Sequence, residues 1–273
     1  MSDAPTASEP PRAAGDATVV PALLGAPRGA VAYWTVGLSA ALAAVIVLGS
    51  FAGPVLAAAA VALTALAMAW GWPDLLDLPS PRGTRAVVAL AGAGCALAVA
   101  ATPDEPRLRW LALAVALGVL AEFVHQLARR DARPRLVESV TGSVMGIAVL
   151  ASLSALVALP ATAVSATGVV VWGAGVVTAL AGVLLPWPGR LSYPVAVVCG
   201  GLVAALLGGL FAQETVVVGL LTGLVCATTA LVLHRMLAVL PASARAPGWV
   251  ALAVAPLASS GAVAYVLLRL LVG

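Results

Sequence analysis

Hydrophobic residues occupy most of the chain in long runs, and short polar segments separate these runs. Each run has about 17–25 residues, the length that an α-helix needs to cross a bilayer. Backbone groups cannot stay unpaired in lipid, so each run is predicted to be helical. The pattern predicts an all-α, polytopic transmembrane bundle of about nine spans. They cover residues 31–50, 54–72, 86–102, 109–128, 136–158, 164–186, 193–211, 215–234 and 248–270.

The N-terminal segment differs from the rest of the chain. Residues 1–29 mix Pro, Ala, Ser, Asp and Glu without apolar periodicity, a composition typical of disordered tails. We therefore expect a disordered cytoplasmic tail over 1–29 and a single transmembrane helical domain over 30–273.

Arginine placement predicts the orientation of the bundle. With the N-terminus in the cytoplasm, eleven of the fourteen arginines fall on the cytoplasmic side, and only Arg107, Arg109 and Arg269 fall outside. This asymmetry agrees with the positive-inside rule. Six of the seven tryptophans lie near predicted span ends, where an aromatic belt is expected, and Trp172 lies deeper.

Composition restricts the class of protein. Hydrophobic residues make up 62% of the chain and charged residues 9%, and the mean hydropathy is +1.10. A nucleic-acid binder would need clustered charge on an exposed face, which these values exclude. We expect a multi-pass protein of the cell membrane, as in a bacterial inner membrane, with the lipid bilayer as its main partner.

The cysteines do not indicate a disulfide framework or a metal site. Cys95, Cys199 and Cys226 each lie inside an apolar run, and no C-x-x-C spacing occurs. We expect buried thiols that pack between helices. The sequence suggests neither a metal nor a cofactor.

The most polar region beyond the tail is residues 122–142. On the fourth span, Gly118, Glu122, His125 and Arg129 follow helical spacing and share one face. Glu122 lies about 10 Å along the axis from Arg129 at 1.5 Å per residue. An ionisable group at that depth is costly unless it is paired or hydrated.

The fifth span follows after a short arginine-rich loop, so the two helices are expected to be antiparallel neighbours. Its own stripe contains Glu138, Gly142 and Gly146, and the two glycines allow close helix approach. The two stripes together predict a polar pocket that opens to the cytoplasm. Its members are Glu122, His125, Arg129 and Glu138.

Arginines on the same side are expected to contact anions. The guanidinium group suits phosphate and carboxylate, so a lipid headgroup or a small anionic ligand is expected at the cytoplasmic face. The candidate residues are Arg130, Arg133, Arg135, Arg190 and Arg235.

Simpler interpretations compete with a functional site. The arginines of residues 129–135 could serve only to set topology, with Glu122 and Glu138 neutralising them. Asp74 and Asp77 could bind Mg²⁺ for phosphate chemistry, although helix capping beside Arg82 and Arg85 is more ordinary. A helical metal centre would need a second Glu-x-x-His copy, and the chain has one.

Three functions remain open. A permease-like or proton-coupled carrier is slightly favoured, because Glu122 and His125 could relay protons. The alternatives are an assembly or accessory protein with a membrane-protein partner, and an intramembrane enzyme acting on lipid phosphates. The chain lacks Walker, G-x-S-x-G and H-E-x-x-H motifs, so the balance is against an enzyme.

Overall fold

The computed structural model describes residues 29–129, 134–162, 164–211 and 216–272. Within these ranges, nine helical segments are long and apolar enough to cross a membrane. The predicted all-α bundle of nine spans is therefore confirmed. The predicted tail over 1–29 lies almost entirely outside the described residues.

The helices follow one another with short connections. They are α1 (Ala30–Ala52), α2 (Pro54–Leu75), α3 (Pro81–Ala100), α4 (Leu111–Ala128), α5 (Leu136–Ser154), α6 (Ser165–Ala181), α7 (Gly189–Phe211), α8 (Val216–Ala238), α9 (Gly248–Ser259) and α10 (Gly261–Val272). Short 3-10 segments over Ala155–Ala161, Gly182–Leu184 and Pro241–Ala244 extend or connect them.

Two spans begin earlier than the hydrophobic pattern predicts. The third span starts at Pro81 instead of residue 86, and the seventh starts at Gly189 instead of residue 193. Proline suits the first helical position because it has no amide hydrogen to leave unpaired. Arginines in these first turns can extend toward the headgroup region while their alkyl chains stay in apolar surroundings.

Helix α9 occupies the centre of the bundle. Its residues 250–258 are all buried, and it contacts α2, α8, α1 and α5. The continuous apolar run predicted one uninterrupted ninth span, but this span is divided at Ser260 into α9 and α10.

A serine from α5 satisfies the backbone at this division. Ser152 Oγ donates to the Ser259 carbonyl oxygen at 2.9 Å and accepts from the Ala262 amide at 2.9 Å. Trp172 Nε1 donates to Ser260 Oγ at 2.8 Å. A Cβ on Gly261 would lie 2.5 Å from the Ser152 carbonyl oxygen, so only glycine permits this approach. The break is therefore compatible with an apolar environment.

Some of the tryptophans are exposed on the surface of the bundle, and others are buried inside it. Trp34, Trp70, Trp110 and Trp187 are about half or more exposed, as a belt at the membrane interface requires. Trp72 differs from the prediction, because it is fully buried and donates to the Gly142 carbonyl oxygen at 2.8 Å. Its indole instead fixes α2 against α5.

Candidate functional site: the buried Glu122 network

Helix α4 is the least buried of the spans within the described ranges. It packs chiefly against α3 and α5, and its buried residues are Gly118, Glu122 and Gln126. Gly118 allows the close approach, because a Cβ there would lie 2.7 Å from Ala91 Cβ. The buried contact face of this helix is therefore polar in its second half.

Glu122 is completely enclosed. The residue is 0% exposed, and its Oε1 accepts a hydrogen bond from Gln126 Nε2 at 2.5 Å. Its Oε2 is buried and has no hydrogen-bond partner among the described residues. A carboxyl group with one unpartnered oxygen at this depth is energetically costly as an anion.

Gln126 connects Glu122 to two further polar groups. Its Nε2 also donates to Ser139 Oγ on α5 at 2.9 Å, and its Oε1 accepts from an Arg129 guanidinium nitrogen at 2.8 Å. A hydrogen-bonded path therefore runs from Glu122 through Gln126 to Arg129 at the end of the helix. We call Glu122, Gln126, Arg129 and Ser139 the Glu122 network.

His125 faces a different neighbour. Its Nε2 lies 3.3 Å from Ser80 Oγ at the start of α3, and the ring fills the space above Gly83, where a Cβ would overlap the imidazole. His125 is partly buried and belongs to the contact between α3 and α4.

Glu138 lies on the exposed side of the first turn of α5. Its carboxylate is paired with Arg135 Nε, and an Arg135 guanidinium nitrogen also contacts Asp77 Oδ2 at 3.1 Å. Hydrogen bonds to Glu138 and then to Asp77 raise the pKa of the Arg135 guanidinium above its usual value. Of the predicted four-residue pocket, the structure joins Glu122 to Arg129 and places His125 and Glu138 in separate contacts.

Sequence reasoning missed Gln126 and Ser139. The available signal was the spacing of four from Gly118 to Glu122 to Gln126, which forms a row along one helix face. On α5, Ser139 and Gly142 are buried while Glu138 is exposed. The buried face of α5 therefore contains Gly142 and Gly146 as predicted, with Ser139 in the place expected for Glu138.

The predicted anion contacts separate into three groups. Arg130 and Arg133 lie outside the described residues. Arg135 is paired with Glu138 and Asp77. Arg190 and Arg235 line one groove of about 310 Å³ between α7 and α8, together with Tyr193.

Asp74 and Asp77 engage different arginines. Asp74 Oδ2 accepts from Arg85 at 2.6 Å near the end of α2, and Asp77 contacts Arg135. These contacts tie the connection between α2 and α3 to neighbouring helices. They give the carboxylates a structural role in charge neutralisation.

One of the three cysteines departs from expectation, and a histidine of α8 is buried. Cys95 and Cys226 are buried as predicted, but Cys199 is exposed, so that prediction is wrong for one thiol. His234, near the end of α8, is only 3% exposed. Both of its ring nitrogens lack a hydrogen-bond partner among the described residues.

A second groove lies between α3 and α4. It has a volume of about 420 Å³, and its lining is apolar, with Leu90, Leu97, Leu113, Leu117 and Trp110 among the larger side chains. Its location on the membrane-facing side distinguishes it from the Glu122 network.

Comparison of the chain with protein-family models, with curated proteins and with solved structures finds no match.

Proposed function

We propose that this protein is a proton-coupled membrane carrier in which the Glu122 carboxyl group binds and releases the proton. The observation that carries the proposal is the complete burial of Glu122 with one carboxyl oxygen unpartnered among the described residues. Intramembrane ionisable groups commonly mark proton or substrate pathways.

The surroundings of the Glu122 carboxyl group contain influences that favour its protonated form and others that favour its ionised form. Protonation removes the cost of a buried anion, and a positive charge favours the ionised form. Arg129 is the positive charge that two hydrogen bonds through the Gln126 amide connect to Glu122. In the proposed carrier, a rearrangement of α4 that alters this connection accompanies proton uptake and release at Glu122.

The irregular backbone elsewhere supports a carrier. The fifth span ends in the 3-10 segment Ala155–Ala161, and the ninth span divides at Ser260, directly beside Ser152 of the fifth. Discontinuous helices that face each other are a feature of many secondary transporters. Two such helices in contact provide a place where the bundle can change shape.

The setting that we propose is a cell membrane with the N-terminus in the cytoplasm. In this orientation, the end of the bundle that includes the described residues 76–82, 129, 134–135, 185–190 and 235–247 faces the cytoplasm. We call this end the arginine-rich face. Glu122 then exchanges its proton with water that enters from this face, and Gln126 and Arg129 orient the carboxyl group without carrying the proton.

Proton flux into reconstituted vesicles tests the proposal. The protein is placed in liposomes that contain a pH-sensitive dye, with the membrane potential clamped, and small organic acids, amino acids and cations are added singly. We expect one solute class to drive proton movement, and Glu122→Gln to lower that rate roughly tenfold or more because an amide cannot transfer the proton.

Glu105→Gln is the matched control. Glu105 is exposed and pairs with Arg269 and Arg107, so the same chemical change there should leave the flux near that of the unaltered protein. A rate in Glu122→Gln equal to that of the control would remove Glu122 from the proton pathway.

An assembly or accessory function is the second candidate, and the apolar groove between α3 and α4 favours it. A transmembrane helix of a partner protein could occupy that groove. A stoichiometric partner that still co-purifies after replacement of Glu122 and Gln126, together with an absence of solute-driven flux, would support this function over a carrier.

Asp74 and Asp77 give no support to a lipid-phosphate enzyme, because each carboxylate pairs with a different arginine.

A further inference from the structure

The groove between α7 and α8 is polar at one end and apolar along the rest of its length. Arg190 and Arg235 lie at the arginine-rich face, and Val197, Leu231 and Val232 continue the lining toward the membrane interior. Seven residues of helix correspond to about 10 Å, so the lining from Arg190 to Val197 reaches from headgroup depth into the acyl-chain region.

Among the described residues, no carboxylate pairs with the two arginines at the polar end. Both are exposed, and neither forms a salt bridge with a described residue. The Arg235 guanidinium carbon lies 5.6 Å from the centroid of the Tyr193 ring, a cation–π arrangement that orients it over the groove. Two guanidinium groups that line one groove supply the positive charge and the hydrogen-bond donors that a phosphate accepts.

The apolar lining argues for a ligand with a hydrocarbon chain. A free phosphate would use only the arginine end, whereas Val197, Leu231 and Val232 offer a surface that an acyl chain can cover. A zwitterionic headgroup would bring a cation toward two arginines, which is unfavourable. An anionic headgroup avoids that repulsion.

We propose that this groove binds one anionic glycerophospholipid, with its phosphate between Arg190 and Arg235 and an acyl chain along Val197 and Leu231. This site lies on α7 and α8, whereas the Glu122 network lies on α4 and α5. The proposal therefore does not depend on the carrier function.

Native mass spectrometry of the purified full-length protein in detergent tests the site. Phosphatidylglycerol, phosphatidylcholine and glycerol phosphate are added separately at equal concentration. We expect one phosphatidylglycerol to remain bound per chain, with its affinity lowered roughly tenfold or more in the double variant Arg190→Gln/Arg235→Gln. The double variant Arg82→Gln/Arg245→Gln removes the same charge from exposed arginines outside the groove and should bind like the unaltered protein.

Val197→Trp separates a lipid from a soluble phosphate. The indole would fill the apolar part of the groove while leaving both arginines, so phosphatidylglycerol binding should fall as well. Equal retention of phosphatidylcholine, equal loss in both arginine double variants, or unaltered lipid binding in Val197→Trp would overturn the proposal. In a second measurement, glycerol phosphate is added at equimolar concentration to the protein with bound phosphatidylglycerol, and displacement of the lipid would overturn the proposal in favour of a soluble anion.

Discussion

Gln126 uses its whole amide group within the Glu122 network. Both donated hydrogen bonds come from Nε2, to Glu122 and Ser139, and the oxygen accepts from Arg129. A glutamine offers two donors and one acceptor group, so this side chain alone can bridge all three neighbours. Its loss would leave the buried Glu122 carboxyl without the partner that the structure provides.

Gln126→Leu is therefore expected to destabilise the protein by roughly 1–3 kcal/mol, the cost of leaving buried polar groups unpaired. Denaturation of the purified protein in detergent measures the change. Leu120→Ala on the lipid-facing side of α4, where the residue is 58% exposed, provides the control and should change stability less. Equal effects would show that the network contributes little to stability.

The sequence predicted Glu122 and Arg129 as neighbours in one site but selected His125 instead of Gln126. Helical periodicity of 3.6 residues makes both i+3 and i+4 neighbours share a face, so spacing alone cannot decide between them. The choice depends on where the neighbouring helices cross. Here α3 carries Gly83 and Ser80 against His125, and α5 carries Ser139 against Gln126.

At the scale of the helix, Ser152 holds the divided ninth span together. Its hydroxyl group donates to the carbonyl before the break and accepts from the amide after it. Ser259, Ser260 and Gly261 are the small residues at the break. The sequence is apolar on both sides of them, so the hydrophobic pattern predicts one continuous span. The break could not be predicted because its stability depends on a side chain more than a hundred residues away.

Ser152→Ala should lower the free energy of unfolding by roughly 1–3 kcal/mol, because two backbone groups at the break lose their partner. Ser154→Ala is the matched control on the same helix. Among the described residues, the Ser154 hydroxyl bonds only to the Leu150 carbonyl oxygen of its own helix, so its removal should cost less. Identical melting behaviour of the two variants would contradict a bridging role for Ser152.

At the scale of the whole molecule, the number of spans followed directly from the sequence. Length and apolarity are properties of each segment alone, and nine such segments are present within the described ranges. The arrangement of helices could not be predicted in the same way. Lipid-facing and protein-facing surfaces are equally apolar in a membrane, so hydrophobicity does not show which face packs inward.

Orientation in the membrane is a prediction that thiol labelling can check. Asp104 and Ala244 are exposed at opposite ends of the bundle. We expect a membrane-impermeant thiol reagent to label Asp104→Cys in intact cells and to label Ala244→Cys only after the cells are opened. Labelling of the unaltered protein measures the contribution of its three native cysteines. The reverse labelling pattern would place the arginine-rich face outside the cell.

The central claim is that Glu122 exchanges a proton within the membrane, and infrared difference spectroscopy tests it most directly. Spectra of the reconstituted protein are recorded between acidic and alkaline pH, and the carbonyl stretch of a buried carboxylic acid is followed. We predict a band that disappears at alkaline pH, is absent from Glu122→Gln, and persists in Glu138→Gln, whose carboxylate is exposed. A band that persists in Glu122→Gln would contradict the claim.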